Sequence, residues 1–202
     1  RRGQGVRALH RNRLTLREMI LAALFTALMV ALGVVPPLTL PLSPVPVTTQ
    51  TLGVMLAGSV LGRRGGALAM IIFLLLLVAG VPVLAGGRGG PGHLFGPSGG
   101  YILSWPLAAY VIGHLAGPAP RFGRLLVANV VGGILVVYAI GAPVLALVSG
   151  MGIKRALVAG AALFVPGDLL KAVVAALLAA SLRRRLDAAA PGRSSDTPVV
   201  KG

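Results

Sequence analysis

Apolar residues along this chain come in long runs rather than in alternation. Six runs stand out, at 16–35, 48–61, 66–81, 100–116, 125–148 and 156–182. A helix needs roughly 20 mostly apolar residues to cross the hydrocarbon of a bilayer, and fewer where neighbours shelter it. Strands of a membrane barrel would alternate apolar and polar side chains, which the continuous run 71–78 does not do. The pattern predicts an all-α integral membrane protein of six transmembrane helices. The second and third runs are short and are separated only by Gly62-Arg63-Arg64-Gly65. They read as a tight helical hairpin with its turn on one membrane face.

Composition narrows the class further. The 202 residues are 56% hydrophobic and 11% charged, with a mean hydropathy of +0.90 and no cysteine. A soluble domain carries about a quarter charged residues to cover its surface. The balance excludes a disordered chain, a disulfide scaffold and a cysteine-ligated metal site. The net charge of +15 would suggest nucleic acid in a soluble protein, but its placement here follows the six runs. Fifteen Lys and Arg fall on the side shared by both termini and by the loops at 62–65 and 117–124; Arg88, Lys154 and Arg155 fall on the other, and Lys171 lies within a run. Lys and Arg of short loops are retained in the cytoplasm. Both termini are therefore expected there, in the cytoplasmic membrane, with the arginines touching anionic lipid and no nucleic-acid role.

Three units follow: a basic tail at 1–15, a membrane domain at 16–186 and a tail at 187–202 containing Pro191-Gly192 and Ser194-Ser195. The first run is longer than a signal-peptide core and no small-x-small cleavage site precedes a polar domain, so it is read as a retained helix. No internal repeat is evident, unlike the inverted-repeat carriers. Prolines and glycines gather on the outer side, in Pro36-Pro37 through Pro46 and in Gly86-Gly87-Arg88-Gly89-Gly90-Pro91-Gly92. Prolines at that density forbid helix. Irregular backbone near membrane depth is tolerated where it lines a cavity or is buried in protein, so these segments are either outer linkers or lids over a ligand.

Polar residues inside the runs are the candidate chemistry. Asp168 and Lys171 stand three apart on a helix and so share a face. A lone charge at the bilayer centre costs about 2.5–3.5 kcal/mol on insertion scales, so such groups face a bundle interior or a wet cavity. The pair either fixes helix packing or binds a ligand that carries donors and an acceptor. Pro166 either kinks this helix or starts it. Thr48, Thr49, Gln50 and Thr51 exceed what capping requires, and Gln50 offers both a donor and an acceptor. Ala22, Ala23, Ala27 and Ala31 form a smooth ridge on the first helix, suited either to internal packing or to docking another membrane protein.

Five motifs in order form a recognisable pattern: Pro44-Val45-Pro46-Val47-Thr48-Thr49-Gln50-Thr51-Leu52-Gly53; Leu56-Ala57-Gly58; Ala79-Gly80-Val81-Pro82-Val83 leading to Gly86-Gly87 and Gly89-Gly90; Gly96-Pro97-Ser98-Gly99-Gly100-Tyr101; and Pro166-Gly167-Asp168-Leu169-Leu170-Lys171. From about Leu16 to Leu186 the chain resembles the BioY family, the biotin-specific substrate-binding (S) components of energy-coupling factor (ECF) transporters. The resemblance implies a six-helix bundle that captures biotin from outside and works with a transmembrane T component and two cytoplasmic ATPases. It also implies that the alanine ridge meets the T component. No Gly-x-x-x-x-Gly-Lys-[Ser/Thr] phosphate loop occurs in the chain, so it is expected to be no enzyme and to need no cofactor, with ATP hydrolysis left to partners.

Biotin suits these residue types. Its ureido ring presents two N–H donors and a carbonyl acceptor, which Asp168 and Lys171 can respectively accept from and donate to. Arg88 is the outer cation available to the carboxylate, or a solvated loop residue. Gln50 and Thr48 belong to a matching motif. Tyr101, Trp105 and Asn129 either line the pocket or serve as an interfacial anchor, bundle packing and an interhelical hydrogen bond. Another vitamin is the alternative ligand, since S components share a fold. Gly96-Pro97-Ser98-Gly99 also fits the Gly-x-Ser-Gly of rhomboid-type intramembrane proteases. However, His10 lies in the tail and His93 precedes the serine. His114, at 1.5 Å per residue, stands about 24 Å further along the same helix, so the dyad cannot be built. The histidine spacing is not that of a metal site.

Overall fold

The computed structural model describes residues 15–188, and they are helical almost throughout. α1 (Leu16–Gly33) opens on a capping box, in which the Thr15 side chain accepts from the Glu18 backbone while the Glu18 carboxylate accepts from Thr15. α2 (Gln50–Val78) is broken at Gly62, where φ is +75°. Glycine adopts that conformation without a Cβ clash, and the chain folds back on itself. A Cβ built on Gly66 would lie 2.9 Å from Gly58 Cα, so the arms 50–61 and 63–78 are the expected hairpin, packed backbone to backbone at its turn. α3 (Gly99–Ala116) follows a short turn at Pro91–Leu94, and α4 runs over Phe122–Val148 with a widened turn at Val131–Val136. α5 (Ile153–Leu157) continues into a second widened turn at Val158–Ala162, and α6 spans Val165–Ala188.

Four segments are long and apolar enough to cross a membrane: Leu16–Gly33, Gln50–Val78, Phe122–Val148 and Val165–Arg185. The first, hairpin and fifth runs are thereby accounted for. α3 is less apolar because it carries Ser104, Trp105, Pro106, His114 and two tyrosines. It is also the most enclosed helix, with Ile102, Trp105, Ala108, Ala109 and Ile112 all buried. The run 156–182 is not one helix. The chain turns at Leu163 and Phe164, and Pro166 stands in the first turn of α6, where its missing N–H costs nothing.

Helices in lipid gain little from burying apolar surface against one another, so close backbone approach and hydrogen bonds hold them together. Gly132 in α4 seats against Ala108 and Ile112 of α3, and Gly141 against the Tyr101 ring. The Thr26 hydroxyl, buried in α1, reaches both Ala22 O and Ala69 O at 2.9 Å, tying α1 to the second arm of α2. Ala22 is consequently inside, fully covered, and does not belong to an exposed ridge. Ala23, Ala27 and Ala31 remain on the outer face of α1 beside the exposed Ile20, Leu24 and Leu28. The tails expected at 1–15 and 187–202 lie outside the described residues, apart from the capping Thr15 and the last turn of α6.

Both Gly/Pro-rich segments pack at one end of the bundle. Leu38 and Val47 pair backbone to backbone across the proline-rich loop, at 2.9 and 2.8 Å. Leu84 and Arg88 pair across the glycine-rich loop, where Gly86 and Gly87 hold positive φ. Gly86 N donates to Gly33 O, which joins the second loop to the end of α1.

Candidate functional site

A cavity of about 70 Å³ lies where these two loops meet α2, α3, α4 and α6. Its polar wall comes from both ends of the chain. The first turn of α6 carries Asp168, only 4% exposed, and a carboxylate there is favoured by the positive end of the helix dipole. Asp168 Oδ1 accepts from Lys171 Nζ at 2.8 Å and from Thr51 Oγ1 at 3.3 Å, and Oδ2 accepts from the Tyr138 hydroxyl. Lys171 Nζ also donates to Thr48 O at 2.7 Å and reaches Thr51 Oγ1 at 3.0 Å. Four elements' worth of sequence thus converge on one ion pair. Much of the remaining wall is apolar, from Val45, Val47, Leu84, Ile102, Val137 and Phe164, with Arg88, His93 and Ser98 as further polar lining residues. Such a trough, with a few fixed polar groups, is the usual form of a small-molecule site.

The other sequence-predicted residues are distributed unevenly. Thr48 lines the cavity and contributes its carbonyl to Lys171. Gln50 also borders it, but its side chain is 1% exposed and engaged with the scaffold. Nε2 donates to Met29 O and Val83 O at 3.2 and 2.9 Å, and Oε1 accepts from Ala85 N at 3.1 Å. It joins α1, α2 and the glycine-rich loop, and so positions Ala85 and Leu84 rather than presenting its amide. Arg88 stands exposed at the cavity mouth with Nε donating to Ala85 O at 3.0 Å. Tyr101 lines the cavity while its hydroxyl donates to Gly160 O at 2.8 Å, binding α3 to the widened turn after α5.

Asn129 is not brought to the cavity. It is completely buried between helices, accepting from Ser59 Oγ at 2.8 Å and donating to Ala172 O at 3.4 Å. Of the two roles open to it, the interhelical hydrogen bond is the one it performs. Sequence reasoning missed Tyr138 and gave Thr51 no role. Thr51 follows Gln50 in the same polar cluster and was open to detection; Tyr138 sits in an apolar run and carries no local signal. Ser98 lines this cavity, whereas His114 lines a second one at the opposite end with Arg17, Arg63 and Arg183. His93 borders the same cavity as Ser98, but among the described residues no hydrogen bond joins a serine to a histidine. Among the described residues no group of three His, Cys, Asp or Glu could hold a metal ion.

Comparison with known proteins agrees with this geometry. The family profile described as "BioY family" matches residues 8–188. The chain is 47% identical over 170 residues to the biotin transporter BioY of Rhizobium etli, covering 80% of this chain and 90% of that one. It is 44% identical over 191 residues to the probable biotin transporter BioY of Bacillus subtilis, covering 94% and 99%. Among solved structures it superposes with a TM-score of 0.79, at 30% identity and over 85% and 95% of the two chains, on the S-component for biotin from an ECF-type ABC transporter. Its apolar helices and these matches make it a multi-pass membrane protein, and the chain belongs to the BioY family.

Proposed function

We propose that this chain captures biotin outside the cell and serves in its uptake as the substrate-specific component of an ATP-driven ECF transporter. The observation that carries the reading is the Asp168–Lys171–Thr51 cluster in a largely apolar cavity. A cyclic urea offers donors to the carboxylate and an acceptor to the ammonium, and its fused rings and alkyl chain need the apolar trough. Thr48 and Tyr101 border the same space, Gln50 positions its loop wall, and Arg88 at the mouth faces the place for the carboxylate.

Topology and partners complete the proposal. The hairpin arms count as two crossings, and with α1, α3, α4 and α6 they make a six-helix membrane domain, the short α5 segment joining α4 to α6. The termini lie in the cytoplasm, on the side where Arg63, Arg64, Arg121 and Arg124 cluster. The exposed Ala23, Ala27 and Ala31 allow close approach of a T-component helix, with two cytoplasmic ATPases supplying the energy and reorientation of the bundle releasing biotin inward. Equilibrium binding of labelled biotin to the detergent-purified protein tests the core of this reading. Tight binding that biotin displaces and thiamine does not is expected. Folded, monodisperse protein that binds no biotin would overturn it.

A further inference from the structure

The second cavity, at the end of the bundle away from the Asp168–Lys171 pair, is the larger one, at about 620 Å³. Arg17 of α1, Arg63 at the hairpin turn, Arg183 of α6 and His114 of α3 line it, with Glu18 the single carboxylate among its described lining residues. Glu18 is committed to the start of α1, where its Oε2 accepts from both the backbone N–H and the hydroxyl of Thr15. Arg183 is fixed by backbone: Nε donates to Ser59 O, and Nη1 to Gly117 O at 2.7 Å and Pro118 O at 3.3 Å. Its charge thus meets the carbonyl ends of the first hairpin arm and of α3, where a cation is favoured. Arg17 and Arg63 are placed against the helix dipole instead. Arg17 stands in the first turn of α1 and Arg63 directly after the break at Gly62, at helix starts that favour negative charge. Retention of arginine in short loops accounts for the number of arginines at this end. It does not account for the convergence of three, from separate parts of the chain, on one cavity.

We infer that this cavity binds a phosphate-bearing anion, with the headgroup of an anionic phospholipid as the source that its position favours. Three guanidiniums around one space repel one another, and a bound anion turns that repulsion into attraction. Arginine forks match phosphate oxygens in geometry as well as in charge, and basic pockets between transmembrane helices suit lipid headgroups. The volume lies in the range of small-molecule sites. Leu16, Met19 and Ile20 are exposed on the first turns of α1, the helix that carries Arg17, and offer an apolar path for acyl chains beside the headgroup. Bound there, the phosphate bridges α1, the hairpin turn and α6.

The test titrates detergent-purified protein with dioleoylphosphatidylglycerol, with dioleoylphosphatidylcholine and with inorganic phosphate, reading binding by native mass spectrometry and the melting temperature by Trp105 fluorescence. Phosphatidylglycerol is expected to bind one to one and to raise the melting temperature, and phosphatidylcholine to do neither. Arg17→Gln/Arg63→Gln keeps Arg183 and its backbone contacts, and is expected to weaken phosphatidylglycerol about tenfold to thirtyfold, as for two basic contacts near a lipid surface. Arg121→Gln/Arg185→Gln removes the same charge from the same end without touching the cavity lining, and should change binding by no more than about twofold, since exposed charges at a distance are screened. Equal losses in the two double variants would reduce the effect to diffuse attraction and overturn the site. Phosphatidylcholine binding as tightly as phosphatidylglycerol would overturn it too. Inorganic phosphate that by itself gives the full stabilisation and displaces the lipid would keep the phosphate site and overturn the lipid as its source. Wild-type protein that binds neither phosphatidylglycerol nor inorganic phosphate would refute the inference without recourse to any variant.

Discussion

The ammonium of Lys171 lies 2.8 Å from Asp168 Oδ1, one turn along α6, with Thr51 Oγ1 within reach of both groups. All three ammonium protons are in use, on Thr48 O, Thr51 Oγ1 and Asp168 Oδ1. A urea that enters must therefore exchange with these contacts rather than add to them, and the exchange conserves hydrogen bonds while bringing no new charge into the membrane. Asp168→Asn keeps the shape but replaces a charged acceptor with an amide. Loss of a charge-assisted hydrogen bond of about 1.5–3 kcal/mol is expected to weaken biotin binding about tenfold to a hundredfold. Unchanged affinity by equilibrium dialysis would remove Asp168 from the site.

The same pair has a separate signature in stability. Removing one partner of a buried ion pair strands the other charge, whereas removing both leaves an apolar wall. Lys171→Met alone is expected to lower unfolding stability by about 2–4 kcal/mol, and Asp168→Leu/Lys171→Met by distinctly less. Thermal unfolding followed through Trp105 fluorescence reads both. A double variant as unstable as the sum of the singles would show that the two groups do not act as a pair.

Much of this site is local in sequence and was legible there. Asp168 and Lys171 share a helix face by spacing, and Gly62-Arg63-Arg64-Gly65 announces a turn between apolar runs. What escaped is tertiary. Tyr138 reaches Asp168 from thirty residues away along the chain, out of a segment whose apolar pattern is that of any span. Asn129 and Gln50 are polar residues in apolar runs, equally suited to a site or to satisfying backbone groups, and only the positions of Ser59, Ala172, Val83 and Ala85 decide between these. Ala22 stands beside the four-residue period of Ala23, Ala27 and Ala31, yet it shares the inward face of Thr26, whose hydroxyl reaches Ala69 O. The break at Leu163 and Phe164 was one of two readings that Pro166 left open, and the apolar residues before it, able to continue a helix, did not decide between them.

Gln50 offers a prediction that separates scaffold from ligand contact. Gln50→Leu leaves the carbonyls of Met29 and Val83 and the amide of Ala85 without their partner, at about 1–3 kcal/mol for each buried group that stays unsatisfied. A clear loss of thermal stability is expected, with weaker biotin binding because the wall at Leu84 and Ala85 is no longer held. A variant as stable as the wild type but unable to bind would reverse the assignment and make Gln50 a direct contact.

The hairpin turn is equally open to trial. The nearest atoms to a Cβ on Gly66 are Gly58 Cα at 2.9 Å, Ala57 O at 3.0 Å and Gly58 N at 3.0 Å, all backbone. None can rotate away, so Gly66→Ala must push the two arms of α2 apart, and overpacking of this kind costs about 1–3 kcal/mol. Gly92→Ala, where a Cβ meets nothing within 4 Å, should cost far less. Equal melting temperatures for the two variants would contradict the close packing of the arms.

Arg88 differs from the buried pair because it is exposed at the cavity mouth, held to Ala85 O through Nε. Water and salt screen it, so its attraction for a carboxylate is modest at this position. Arg88→Ala is expected to weaken biotin binding about two- to fivefold, within the range for an exposed charged contact, and the wild-type affinity should fall as salt is raised. Biotin amide, which has lost the negative charge, should bind wild type and variant alike. That comparison discriminates between the two things Arg88 does. A carboxylate contact predicts loss for biotin alone, whereas a contribution only through Ala85 predicts the same loss for both ligands, since the loop wall touches the part of the molecule they share.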